Sequence, residues 1–375
     1  MSQVHIQKWA FRGGGGRPSV APSSWIGHRP KSPQSRPHGF NITAQRRAST
    51  FPFLILSLIL MEKIGYLCTY VPVELVEAAG FRPRRIIPGS SEKDEVLLDP
   101  NVCPYLKAVL SGLRNESLGG LVFINSCDGM RRLYDAVRWF YPSLEVYILD
   151  VPRSSDEKGV LYYREVIGDF SRWLGDLRGR SLSEEEVREA IDRCNRRRRA
   201  FFEVLKKRPR AGDLLRALKG GFPPEDLSGV RLKEDGGKVK VLVTGSLLEA
   251  DGILDWLEEL GGEVLIPDVC SGLRGAGYVK EGEPFLALAK AYLEKPPCAR
   301  MKGIRRQLLQ KAVEEVRAVL AYIPKFCDHY LYELATLREI CKGKGRPLLH
   351  LEGEYTLGVP EGIKTRIQAF LERWR

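Results

Sequence analysis

The stretch GLVFINSCDGM (120–130) is an apolar run that stops at Cys127-Asp128, and AVLAYIPKFCDHY (318–330) stops the same way at Cys327-Asp328. Both runs are short, rich in Val, Ile and Leu, and lack polar alternation. That is the pattern of a strand covered on both faces. Similar runs occur at 145–151 (EVYILDV), 239–244 (VKVLVT), 263–269 (EVLIPDV) and 347–352 (PLLHLE), with amphipathic stretches such as 249–260 and 303–319 between them. Strands alternating with helices imply parallel sheets joined by crossover helices. The expected fold class is α/β, with two Rossmann-like, doubly wound and mainly parallel halves.

The middle reads differently. SLSEEEVREAIDRCNRRRRAFFEVLKKRPR (181–210) is helical, and Ser183 and Glu186 have the spacing of a capping box. The turn-rich segments LKGGFPPEDLSG (218–229) and LKEDGGK (232–238) place a boundary near residue 237. The expected domains are 61–237, an N-terminal α/β domain with a helical segment, and 238–375, a C-terminal α/β domain. A chain of 375 residues exceeds what one core usually serves. The basic run Arg196–Arg199 reads as a solvated helix face.

The net charge is +12, but residues 1–60 carry eight Lys and Arg and no acid, which leaves 12 − 8 = +4 for the rest. The body is only mildly basic, so no nucleic-acid partner is expected. Residues 1–60, with GGGG at 13–16 and many Pro, Ser and Arg, cannot build a core. They read as a disordered or mis-assigned extension, with the working chain opening at Met61. FPFLILSLIL (51–60) is about half of a membrane span. No membrane association is expected, and a cytoplasmic location is.

Of the eight cysteines, none forms a CxxC pair, which argues against a zinc ribbon. In open parallel sheets, ligands bind beyond the carboxyl ends of the strands. Cys127 and Cys327 stand there, one in each half, and a cleft between the halves would bring them together. Cys103 precedes Pro104 and a helical pattern, so it sits near a helix N-terminus, which favours thiolate. Three thiolates suit a soft, sulfur-rich metal centre. By spacing alone, a lone buried cysteine is more often a small hydrophobe. Asp128 and Asp328 would orient the adjoining backbone. Cys270, in PDVCSGLRG, lines the cleft or packs, and Cys68 has the same status. Cys298 reads as incidental, and Cys194 and Cys341 as packing or surface residues. His329 is within reach of a group at Cys327, and His350 reads as a core histidine. No G-x-x-x-x-G-K-[ST] loop is present, so this chain is not expected to hydrolyse ATP.

VPVELVEAAGFRP (71–83), Cys103, Cys127-Asp128, LLEADGILDWLEELGGEVLIPDVCSGLRG (247–275), KFCDHYLYELATLRE (325–339) and HLEGEYTLGVPEGIKTRIQAFLE (350–372) follow one another along the body. In this order they resemble the D-component family of 2-hydroxyacyl-CoA dehydratases, which includes benzoyl-CoA reductase subunits and double-cubane cluster proteins. The resemblance spans nearly all of 61–375 and none of 1–60. It implies a [4Fe-4S] cluster held by Cys103, Cys127 and Cys327 in the cleft between the halves, or a double-cubane [8Fe-9S] cluster. It also implies a dimer, either with a homologous second subunit or with a copy of this chain. An ATP-dependent iron–sulfur activator would inject an electron. The implied substrate is a 2-hydroxyacyl-CoA, dehydrated through a ketyl radical by a lyase. The alternatives are a double-cubane-type reductase of small molecules and a non-catalytic α/β partner subunit. Glu74 and Arg366 lie in motifs of this resemblance, facing substrate or packing.

Overall fold

The structure, a computed structural model, describes residues 62–87, 98–233, 239–248, 252–275, 277–355 and 358–374. The extension at 1–60 lies outside these residues. From Glu62 onward the chain packs as one unit built on two four-stranded parallel sheets. The first contains β1 (Lys63–Tyr66), β2 (Arg82–Arg85), β3 (Gly120–Ile124) and β4 (Val146–Leu149), in the order β2-β1-β3-β4. The second contains β5 (Val239–Gly245), β6 (Gly262–Asp268), β7 (Ala318–Pro324) and β8 (Leu348–Gly353), in the order β6-β5-β7-β8. The two orders are the same once renumbered. In each sheet the order reverses between the first and third strands, which is where an open parallel sheet leaves a crevice.

The unbroken apolar runs have a direct cause. In β3, Val122 and Ile124 enter one core while Leu121 and Phe123 enter another on the opposite face. In β7, Val319, Ala321 and Ile323 face one core, and Ala318, Leu320 and Tyr322 the other. With period-two geometry and both faces covered, every position must be apolar.

Helices α1 (Val73–Ala78), α2 (Pro104–Gly112), α3 (Asp128–Phe140), α4 (Glu157–Arg178), α5 (Glu184–Lys206) and α6 (Ala211–Ala217) precede β5. Helices α7 (Gly252–Glu259), α8 (Pro284–Glu294), α9 (Lys302–Glu314), α10 (Asp328–Gly343) and α11 (Glu361–Glu372) follow it. Packing crosses the middle of the chain in both directions. Leu288 and Leu293 of α8 join the core of the first sheet, whereas Leu214 and Leu215 of α6 join those of the second. None of the described helices is long and apolar enough to cross a membrane.

The capping box forms. Ser183 Oγ accepts from the Glu186 amide at 3.2 Å, and Glu186 accepts from the Ser183 amide at 2.9 Å. Ser183→Ala is expected to cost about 1 kcal/mol in a urea unfolding series.

Part of the basic run departs from the solvated reading. Arg196 and Arg199 are exposed, but Arg198 is buried against Glu74, and Arg197 reaches Glu77. Cys194, Asn195, Arg198 and Phe201 lie on the buried stripe of α5 at helical spacing. A guanidinium on that stripe needs a carboxylate partner, because an unpaired buried charge is costly.

Candidate functional site

Each sheet delivers cysteines to the ends of its strands. Beyond β1 stands Cys68, beyond β3 Cys127, beyond β6 Cys270 and beyond β7 Cys327. Together with Cys103 and Cys298 they line one cavity of about 350 Å³. Of the three cysteines singled out in the sequence as ligands, all reach this cavity. So do Asp128, Asp328 and Cys270. Glu74 and Arg366 lie outside it. Glu74 is fully buried, paired with Arg198 and accepting from the Tyr292 hydroxyl at 2.8 Å. Arg366, on α11, donates to the His350 carbonyl at 2.7 Å. Cys194 and Cys341 are buried in cores and do not line the cavity.

Cys103, Cys127 and Cys327 are all helix N-caps, of α2, α3 and α10 respectively. That explains the repeated Cys-Asp. The cysteine caps the helix three residues after the strand has ended, and the aspartate takes the first helical position, where a carboxylate suits the positive end of the helix. Both aspartates are exposed at the cavity rim. The Cys127 sulfur accepts from the Met130 amide at 3.4 Å. At Gly129 a Cβ would stand 2.5 Å from Leu106 Cδ1, so glycine lets α2 approach the start of α3. Phe326 has φ +58, a left-handed conformation rare for a large side chain, immediately before Cys327. His329 Nε2 contacts the Ser126 carbonyl, which joins the two strand-end loops directly.

The thiols are not equivalent. Cys103 is pulled below the usual thiol range, first by a hydrogen bond from Cys327 and, against the effect of burial, by the amides of Tyr105 and Leu106. Cys327 is pushed well above that range by the same hydrogen bond and by burial, and it lies 3.6 Å from Ser246 Oγ. Burial raises Cys127 and Cys68 and takes Cys298 up to about 11.

A buried ionic network stands behind the second-sheet loops. Asp268, at the end of β6, accepts from Arg274 Nε at 2.9 Å, Arg305 at 2.6 Å and Thr244 Oγ1 at 2.7 Å. Arg305 also donates to Glu333 at 2.8 Å. Arg274 reaches the Gly245 carbonyl at 2.7 Å and the Tyr330 hydroxyl. Gly245 has φ +140, and a Cβ there would lie 1.8 Å from the Tyr322 carbonyl oxygen. Only glycine permits β5 and β7 to end so close together.

Sequence reasoning passed over Cys298 and the cavity's cations. Arg85 and Arg300 line the cavity, and Lys295 stands behind Thr69 and Tyr70. Burial lowers Lys295 to about 7. A signal existed in EKPPCAR (294–300), where Lys295 and Arg300 flank Cys298 in a proline-rich loop.

Among the described residues, no three His, Cys, Asp or Glu side chains are gathered tightly enough to chelate a single metal ion. The donors on the wall are instead soft thiols spread around a cavity, next to buried cations. That donor chemistry fits a sulfur-rich polynuclear anion better than a lone hard cation.

The profile of the family described as 2-hydroxyglutaryl-CoA dehydratase, D-component, matches residues 68–373. An Escherichia coli K12 protein named as a dehydratase subunit, YjiM, is 26% identical over 82% of this chain and 90% of its own length. A benzoyl-CoA reductase subunit from Thauera aromatica is 24% identical, covering 82% and 90% respectively. The beta subunit of lactoyl-CoA dehydratase from Anaerotignum propionicum is 24% identical, covering 82% and 91%.

Proposed function

The chain belongs to the 2-hydroxyglutaryl-CoA dehydratase D-component family, and from that premise we propose that it is an iron–sulfur subunit removing water from a 2-hydroxyacyl-CoA. The reading rests on one observation: Cys103, Cys127 and Cys327, each capping a helix, line the same cavity. These three would hold a [4Fe-4S] cluster between two Rossmann-like halves. When bound, such a cluster supplies one-electron chemistry and an iron free of protein ligands, open to a substrate oxygen. The chain's own part is to orient the thiolates and direct amide N–H groups at the sulfurs. The apolar side chains of the cavity wall would also limit the water around a reactive intermediate. Two relatives are named as subunits of CoA enzymes, which supports a partner subunit here. The absence of a nucleotide loop supports a separate ATP-using activator. All eight cysteines are free, which suits a reducing cytoplasm.

One observation favours a second reading. Cys68, Cys270 and Cys298 add a second set of thiols to the same walls. Six cysteines are enough donors for a double-cubane [8Fe-9S] cluster, and the function is then reduction of a small molecule. Anaerobic purification followed by iron and sulfide analysis separates the two. About four irons per chain are expected for the dehydratase and about eight for the reductase. A colourless, iron-free chain contradicts both. Turnover of a 2-hydroxyacyl-CoA by the chain with an activator and reductant tests the reaction.

A further inference from the structure

Three buried basic side chains around the cavity have no acidic partner among the described residues. Arg85 is 2% exposed, donates to the Cys270 carbonyl at 2.6 Å and has an unpartnered Nε. Arg300 is 3% exposed and donates to the Pro152 and Val151 carbonyls at 3.2 and 2.8 Å and to Asn125 Oδ1 at 3.2 Å. Its Nε also has no partner. Lys295 is 3% exposed and donates to Thr69 O at 2.9 Å, Thr69 Oγ1 at 2.7 Å and Arg274 O at 2.9 Å. Its ammonium lies 4.0 Å from the centre of the Tyr70 ring. Every acceptor used by the three is neutral.

The neighbouring cations are matched. Arg274 and Arg305 face Asp268 and Glu333, two positive against two negative. Among the described residues, the acids lining the cavity are Asp128 and Asp328, both exposed at its rim, and Asp128 pairs with Arg132. Neutral hydrogen bonds offset only part of the cost of burying a charge. Two buried guanidiniums, with an ammonium beside them that an anion would keep protonated, come from different parts of the chain and surround one cavity, and an anion within it explains them.

We infer that Arg85, Lys295 and Arg300 are positioning residues that compensate a polyanion resident in the cavity and set its reduction potential. This rests on the iron–sulfur reading above. Arg85 and Arg300 lie in the wall and Lys295 directly behind it, so all three act at short range through a medium that screens poorly. A positive charge beside a redox group stabilises its more negative, reduced form, and net charge is one of the levers on such potentials. Arg85 and Arg300 also tether loops on opposite sides of the cavity. Arg85 comes from β2 of the first sheet and holds the Cys270 loop of the second. Arg300, two residues after Cys298, holds the ends of β3 and β4.

The test is a redox titration followed by electron paramagnetic resonance on anaerobically prepared full-length chain, with iron measured in the same samples. Lys295→Met and Arg300→Gln are expected to lower the midpoint potential, and Lys295→Arg to hold it near the wild-type value. The Arg300 variant keeps the test decisive where Lys295→Met fails to fold. A merely structural role predicts lost iron or lost yield with no change of potential in the cluster that remains. Wild-type iron with unchanged potentials in both neutral variants overturns this inference and leaves the cluster reading intact. An iron-free wild type overturns both.

Discussion

Anaerobically prepared Cys127→Ser and Cys327→Ser chains are expected to lose at least about tenfold in iron retention, a scale on which even residues supporting metal ligands act. Cys194→Ser and Cys341→Ser are expected to keep wild-type iron. A serine hydroxyl is a harder donor than a thiolate and ionises far less readily, so it substitutes poorly at a soft metal centre. The contrast is set by location. Cys194 is fully buried on α5, with its sulfur 3.6 Å from Glu77 and 3.1 Å from Arg197. Cys341 is 2% exposed near the end of α10. Neither touches the cavity, while Cys127 and Cys327 cap the helices that open onto it. Equal iron in all four variants removes the ligand assignment. Loss of iron from all four, with matching losses of thermal stability, points to unfolding instead.

Asp268→Asn is expected to destabilise the chain by about 3–5 kcal/mol, read as a lower denaturant midpoint. The carboxylate binds two buried guanidiniums, and an amide there leaves Arg274 and Arg305 with only Glu333 between them. Asp128→Asn, at an exposed aspartate that opens α3, is expected to stay within about 0.5 kcal/mol of wild type. The pH dependence follows from the folded carboxyl. Burial pushes Asp268 up, but Arg274 and Arg305 outweigh it and hold the group well below the usual carboxylate range. A depressed folded value gives stability that is fully present above the unfolded value of about 3.9 and is lost only as pH falls through the folded one. The deficit of the variant is therefore expected to be the same at pH 5 and pH 8. A deficit that shrinks between those values would mean that the group titrates there and is not held by the two arginines.

The strands buried on both faces were legible because each residue in them meets apolar neighbours whichever way it points. The run 318–324 alone identifies β7, and 120–124 identifies β3. The capping box at Ser183 and the helix start at Pro104 were legible for a similar reason, since their partners lie within a few residues. β2 was not. Its sequence, RPRR, has no strand period, and it forms a strand by pairing along β1 in register, Lys63 with Arg82 through Tyr66 with Arg85. As an edge strand it tolerates Pro83. Arg198 was misread because a charge run looks solvated until tertiary packing turns one side of α5 inward.

The sequence by itself determined the alternation of strands and helices, the apolar faces, and the cysteines that follow β3 and β7. Each of these depends on the period of a few consecutive residues. Only the tertiary structure decided that Cys68, Cys270 and Cys298 share a cavity with Cys103, Cys127 and Cys327, and that Arg85, Lys295 and Arg300 stand around it with no acidic partner among the described residues. Those meetings depend on where crossovers return the chain and which strand ends lie side by side. Local periodicity carries no information about contacts such as Lys295 with Thr69, which join residues 226 positions apart.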